Sequence, residues 1–208
     1  MIPKPALELR YIYKNFGEKN IFTNFNLNFP EVGFATIMGP SGYGKTTLVN
    51  LMLGIHKPDH GEILGFDERK IAVVFQEDRL LEHKNGLENI MFVLRNPAKD
   101  DEDMAWELLT RTRLAKDAHK LARNYSGGMK RRLALCRALV TDFDLLILDE
   151  PFKGLDVALK PDIMALTKQR CEGKQVILIT HDMQEAEYFG GYIVDISNPP
   201  LFFDEMNT

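Results

Sequence analysis

Gly39-Pro40-Ser41-Gly42-Tyr43-Gly44-Lys45-Thr46 constrains this chain more than any other stretch, because it fits G-x-x-x-x-G-K-[ST]. An apolar run, Phe34 to Met38, precedes it, and a helix is expected from about Gly44 to Leu53. Strand, glycine-rich turn and helix in that order gather backbone N–H groups around phosphate. Glycines accept φ > 0, so successive amides can turn inward, and the helix aims its positive end at the anion. Lys45 then supplies a charge to the β/γ oxygens and the Thr46 hydroxyl a ligand to Mg²⁺. With glycine near ~7% of residues, chance supplies such a match in under about one chain of this length in a hundred. Gly39, Ser41, Gly42, Gly44, Lys45, Thr46 and Thr47 are therefore candidate nucleotide-binding residues, with Mg²⁺ beside the phosphates.

The surrounding pattern predicts an α/β fold. Leu7, Leu9, Tyr11 and Tyr13 alternate with polar residues, Asn15 to Asn20 resembles a hairpin turn, and Ile21 to Phe29 alternates again. This opening predicts a small N-terminal antiparallel β subdomain. Ile71 to Phe75, Leu145 to Leu148 and Val176 to Ile179 are continuous apolar runs, as in strands of a mainly parallel sheet covered on both faces. Leu87 to Leu94 and Glu102 to Leu114 have helical spacing, and no strand pattern lies between Gln76 and Leu145. An inserted α-helical subdomain, approximately 78–140, is expected within a single domain over residues 1–208. Leu145-Leu146-Ile147-Leu148 ends in Asp149 and Glu150, delivering two acids to a sheet edge. Asp149 would hold Mg²⁺, and Glu150 would take a proton from the attacking water.

The 208 residues carry a net charge of −4 and no apolar run long enough to cross a bilayer. No basic excess points to nucleic acid, and Met1 to Pro5 lack the apolar stretch of a secretory leader. A cytoplasmic location is expected. Cys136 and Cys171 match no metal spacing and are expected to be buried thiols. The basic cluster Lys130-Arg131-Arg132 is expected to form a solvated helix face, with Arg132 as a possible support of its helix. Asp100 to Asp103 should favour a helix start.

Tyr125-Ser126-Gly127-Gly128-Met129 narrows the class. Ser126 is a good N-cap, and Met129, Leu133, Cys136 and Val140 follow at helical spacing. About twenty residues before the acid-tipped strand, this stretch resembles the L-S-G-G-Q signature of the ATP-binding cassette (ABC) family. Gln76 resembles that family's Q-loop, Asp156 in Lys153-Gly154-Leu155-Asp156 its D-loop, and His181 its switch histidine. Phe16 stands where the family places an aromatic that stacks on adenine, with Tyr11 and Tyr13 as alternatives. The ordered set spans about residues 7 to 200. Tyr125, Met129, Tyr43 and Lys153-Gly154 depart from the family's usual Leu, Gln, Ser and Ser-Ala.

The resemblance implies a head-to-tail dimer, with a second copy or a relative, in which two ATP molecules are sandwiched. Ser126, Gly127 and Gly128 of one subunit would reach the γ-phosphate held by the other's Lys45. Gln76 would sense Mg²⁺ and the lytic water, and His181 would orient Glu150. The compact cassette looks like the ATPase subunit of a bacterial importer, lying peripherally on the inner face of the membrane. Integral permease subunits and a separate solute-binding protein would be its partners. Glu77 to Leu81, His181 to Ala186 and Ser197 to Pro200 look most like the nitrate/sulfonate/taurine branch. A DNA- or ribosome-associated ABC ATPase, a nucleotide-gated assembly module and a P-loop kinase are the rival classes.

Overall fold

The computed structural model describes residues 7–66 and 69–197. Met1 to Pro5 and Asn198 to Pro200, both read above, lie outside the described residues. The chain divides into two compact units, Met1–Lys70 with Gln175–Thr208, and Ile71–Lys174. In chain order the first unit supplies β1 (Leu7–Phe16), β2 (Lys19–Phe29), β3 (Gly33–Met38), α1 (Lys45–Met52) and β4 (His60–Leu64). The second supplies β5 (Ile71–Val74), α2 (Gly86–Met91), α3 (Lys99–Arg111), α4 (Gly127–Leu139), β6 (Leu145–Asp149) and α5 (Lys160–Arg170). The first unit then closes with β7 (Gln175–Ile179), α6 (Met183–Phe189) and β8 (Tyr192–Asp195).

The first unit holds two sheets. One is antiparallel, in the order β2-β1-β4. Leu7 faces Phe29 and Leu9 faces Leu27 across the β1–β2 ladder, and all four side chains are buried. Simple alternation fails at Tyr11. The β1–β2 register shifts between Leu9 and Ile12, Tyr11 takes φ +52°, and Ile12 becomes the fully buried residue while Tyr11 stays exposed. A bulge inserts one unpaired residue and so reverses the inward face beyond it. Strand β4 was not legible in sequence because His60, Gly61 and Glu62 are all exposed and polar or small. It forms because β1 presents a free edge to it. In the other sheet β3 pairs in parallel with β7 on one side and β8 on the other. All five residues of β7 are buried, as a covered parallel strand requires.

The second unit packs helices beside the parallel pair β5–β6, whose register runs from Ile71 opposite Leu145 to Val74 opposite Leu148. Helix α2 begins with a reciprocal capping box. The Asn85 side chain accepts from Glu88 N at 2.8 Å, and the Glu88 carboxylate accepts from Asn85 N, also at 2.8 Å. Those bonds, with Lys84 nearby, hold the Glu88 carboxyl below its ordinary range. Helix α3 carries Asp100, Asp101 and Glu102 in its first turn, matching the dipole argument. Cys136 and Cys171 are buried thiols, each pushed up to about 12 by burial.

Asn89, fully buried on α2, organises the loop that follows β5. Its Oδ1 accepts from Leu81 N at 2.9 Å, and its Nδ2 donates to Leu81 O at 3.1 Å and Asn85 O at 2.9 Å. Asn89→Leu leaves Leu81 N without its partner, while Leu81 O and Asn85 O keep Lys84 N and Asn89 N as donors, and should cost about 1–3 kcal/mol in urea unfolding at unchanged m-value. A loss below about 0.5 kcal/mol would show the loop to be held by other contacts.

Candidate nucleotide site

The first unit carries the phosphate loop between β3 and α1. Gly39, Gly42 and Gly44 have φ of +148°, +88° and +91°, values that L side chains rarely adopt. A Cβ on Gly44 would also lie 2.7 Å from Ile21 Cγ2, so the loop is seated against β2 by the absence of a side chain. Helix α1 starts with no side-chain cap and no acid in its first turn. Its first amides are therefore left to a ligand or to water. Lys45 Nζ donates to Gly39 O at 2.6 Å and to Pro40 O at 3.0 Å, arching back along the loop. Ser41, Gly42 and Thr46 are exposed, while Thr47 is half-buried. A cleft of about 410 Å³ runs along the flank of the loop, lined by Asn20, Ile21, Tyr43 and Ser197 among others. Neither Lys45 nor Thr46 lines it, so phosphate chemistry is placed by the loop itself.

Two more candidates lie in this unit. Phe16 ends β1 with a ring 44% exposed, its edge against His56 at 5.4 Å and Lys14 Nζ 5.2 Å from its centroid. Lys14 and Asn15 N both bond the Asp59 carboxylate, at 2.9 and 2.7 Å, which ties the end of β1 to the start of β4. Tyr13, one of the two alternatives, packs edge-on to His60 at 6.1 Å. His181 is exposed immediately after β7. Its turn is fixed from both sides: the fully buried Thr180 donates to Glu185 Oε2 at 2.6 Å and accepts from Asp182 N at 3.1 Å. Asp182 in turn caps α6 through Gln184 N at 2.9 Å. The Thr180–Glu185 pair escaped the sequence analysis, because an acid four residues past a histidine looks like surface.

The second unit holds the remaining residues. Strand β6 is buried throughout and ends with Asp149, 3% exposed, and then Glu150, 8% exposed. Glu150 sits at φ +50°, a left-handed conformation that costs a non-glycine residue about 1–2 kcal/mol. Pro151 and Phe152 behind it are buried and hold it there. Gln76 lies two residues past the end of β5, with its side chain exposed. Asp156 is exposed, and its Oδ1 accepts from Ala158 N at 2.9 Å. Ser126 caps α4 by accepting from Met129 N at 3.3 Å, with Ser126 and Gly127 exposed. A Cβ on Gly128 would lie 3.3 Å from Gly154 O, so the signature glycines and the Lys153–Asp156 turn are neighbours in this unit.

The basic cluster is not a solvated face. Lys130 pairs with Glu82 at 2.9 Å. Arg131 is 7% exposed and donates to backbone carbonyls at Phe75 and Gln76. Arg132 donates to Gly128 O at 3.1 Å and to Thr112 O at 2.5 Å, directly supporting the signature. Helical spacing alone could not assign these side chains, because Glu82, Phe75, Gln76 and Thr112, which they bond, are distant in sequence.

Among the described residues no cluster of three or more His, Cys, Asp or Glu could hold a metal ion. Mg²⁺ needs no such cluster, because it takes one or two protein oxygens together with substrate phosphates and water. Oxygens of that kind lie on Thr46 in the first unit and on Asp149 in the second.

A phosphate loop, an acid-tipped buried strand and a Ser-Gly-Gly helix start define a P-loop nucleotide-binding protein. The ABC transporter family model matches residues 22–153. The chain is 37% identical over 197 residues to the spermidine/putrescine import ATP-binding protein PotA of Pasteurella multocida, covering 88% of this chain and 53% of that protein. It is 34% identical over 222 residues to PotA of Legionella pneumophila, covering 96% and 61%. The chain thus spans little more than half the length of these relatives. Among solved structures it resembles the dimeric post-hydrolysis state of the ATP-binding cassette MJ0796 bound to ADP and Pi, with a TM-score of 0.80 and 30% identity over 91% of this chain and 93% of that one. A second dimeric structure of MJ0796, a bacterial ABC transporter cassette, gives 0.79 and 32%. The chain belongs to the ABC transporter family as its ATP-binding domain, an ATPase family.

Tyr125, where the family has Leu, is accommodated by a glycine. Its hydroxyl donates to Asp117 O at 2.7 Å, its pKa is pushed up to about 12 by burial, and a Cβ on Gly86 would collide with it. Gly86→Ala should destabilise the protein by about 1–3 kcal/mol through overpacking. In a Tyr125→Leu background the same change should cost less, because only Ala118 O, 3.1 Å from the added Cβ, still has to give way. Equal costs in both backgrounds, measured by chemical unfolding, would separate the two residues.

Proposed function

We propose that this chain is the ATP-hydrolysing subunit of a bacterial importer and works as a dimer across two ATP molecules. One observation carries it: α1 opens as an uncapped helix behind a phosphate loop, while α4 opens on exposed Ser126-Gly127. A head-to-tail pair needs two exposed helix starts in one chain, and the Ser126 hydroxyl, which closes α4 through Met129 N in the free chain, would turn to the partner's nucleotide. Lys45 exchanges the Gly39 and Pro40 carbonyls for phosphate oxygens. Thr46 and Asp149 hold Mg²⁺, which neutralises developing charge when bound. Phe16 stacks on the base. Gln76 and His181 orient the water and Glu150, and Glu150 takes the water's proton. Ser126, Gly127, Gly128 and Asp156 act on the partner's nucleotide. All of residues 1–208 serve as one ATP-binding domain, with a helical part at about 78–140.

Closure on ATP and reopening after hydrolysis would move permease subunits docked near Glu77–Leu81, supplied by a solute-binding protein, at the cytoplasmic face of the membrane. The motif residues favour the nitrate/sulfonate/taurine branch, whereas the relatives above carry spermidine/putrescine names. Binding of these solutes to the cognate solute-binding protein decides the cargo.

Glu150→Gln should lower hydrolysis at least ~10²-fold while retaining ATP binding, and should accumulate an ATP-dependent dimer in size-exclusion chromatography. Turnover near the wild-type rate removes Glu150 from its role. Phe16→Ala should weaken ATP binding by about 1–3 kcal/mol, the usual worth of a base–aromatic stack, with Phe16→Trp close to wild type. A loss for Tyr13→Ala but not for Phe16→Ala would move the adenine to Tyr13.

A further inference from the structure

We propose that Arg131 is a positioning residue that fixes the backbone on both sides of Gln76 and locks it to the helix that begins at the signature. The proposal rests on the ATPase reading above. A single guanidinium reaches three points of the loop after β5. Nη1 donates to Phe75 O at 2.7 Å, Nη2 donates to Gln76 O, and Nε lies 3.3 Å from Asp78 Oδ1. The rest of the loop is tied to the same helix. Arg137 donates to Asp78 O at 3.0 Å and Arg79 O at 2.8 Å. Lys130 pairs with Glu82, and Arg123 N donates to Glu82 O at 3.2 Å.

The geometry separates backbone from side chain. Carbonyls 75 and 76 are held from inside, while the Gln76 amide projects outward and exposed. A planar fork bonds two carbonyls at once beside the Asp78 carboxylate, with which it forms an ion pair, and a lysine ammonium on its flexible stem cannot reproduce this. Burial raises the Asp78 carboxyl above its ordinary range, while Arg131, Lys130 and Arg137 pull it the other way. The cationic side of α4 is therefore what allows an acid in this loop. Arg131 lies within the first two turns of α4, and Ser126 caps that same helix. A displacement of Gln76 is thus delivered to Ser126-Gly127-Gly128 through one rigid element.

The test is a double-mutant cycle on steady-state ATP hydrolysis by the purified chain, with binding of a fluorescent ATP analogue measured in parallel. Arg131→Gln should lower kcat about ten-fold with nucleotide affinity within about two-fold, and should add little in a Gln76→Ala background, since residues acting as a unit are not additive. Arg131→Lys should recover only part of the loss. Equal fold losses with and without Gln76, or an unchanged kcat, overturn the proposal. Should Arg131→Gln fail to fold, the same cycle with Arg131→Lys decides on the same criterion. Failure of the underlying reading looks different: the wild-type chain would then hydrolyse no faster than Glu150→Gln.

Discussion

A helix that starts without a side-chain cap leaves its first amides to whatever anion arrives. Three other helices of this chain are closed by their own residues: α2 by Asn85, α4 by Ser126 and α6 by Asp182. Helices α1, α3 and α5 lack a capping side chain at the N-cap, and of these α1 alone is entered through glycines held at positive φ. Everything in the first unit serves to aim that open end. Strand β3 is locked between two parallel neighbours, and β2 seats the loop through Ile21 and Phe22. Lys45 lies folded against its own carbonyls, and in the proposed function phosphate would exchange one set of charge-assisted bonds for a stronger one.

The second unit solves a different problem, that of holding loops rigid without regular structure. It uses one buried and two half-buried arginines on α4. Arg131, Arg132 and Arg137 donate to backbone carbonyls at Phe75, Gln76, Asp78, Arg79, Thr112 and Gly128. Unpaired carbonyls in such places would each cost free energy comparable to a lost hydrogen bond. Guanidinium groups satisfy several at once and stay charged, although burial lowers the pKa of Arg132 and Arg137 from their ordinary value. Six described non-glycine residues sit at positive φ, and one of them closes the acid-tipped strand. Glu150 adopts a left-handed backbone directly after a strand whose every residue is buried.

Much was legible from residue order alone, for stated physical reasons. The phosphate loop was visible because only glycines tolerate its backbone. The strands ending at Met38, Asp149 and Ile179 were visible because strands covered on both faces must be apolar throughout. The caps at Ser126 and the acid-rich start of α3 were visible because helix termini have local requirements. What depended on distant contacts was not. Tyr11 looked inward until the bulge reversed it. Strand β4 carried no pattern, since one paired edge suffices to form it. The cationic cluster after the signature looked like surface, because its acceptors lie more than fifty residues earlier for Arg131 and nearly sixty for Arg137.

Local chemistry written along the chain therefore determined which residues can meet a nucleotide: the glycines and Lys45 of one loop, the acids closing one strand, and the Ser-Gly-Gly opening one helix. Tertiary structure alone decided how firmly each is held. Thr180 clamps the His181 turn through Glu185, Gly86 makes room for Tyr125, and Arg131 grips the backbone around Gln76. The reason is physical. Binding groups are specified by side-chain type and short-range backbone preference, whereas rigidity comes from satisfying buried polar groups, and those partners are chosen only when the chain folds.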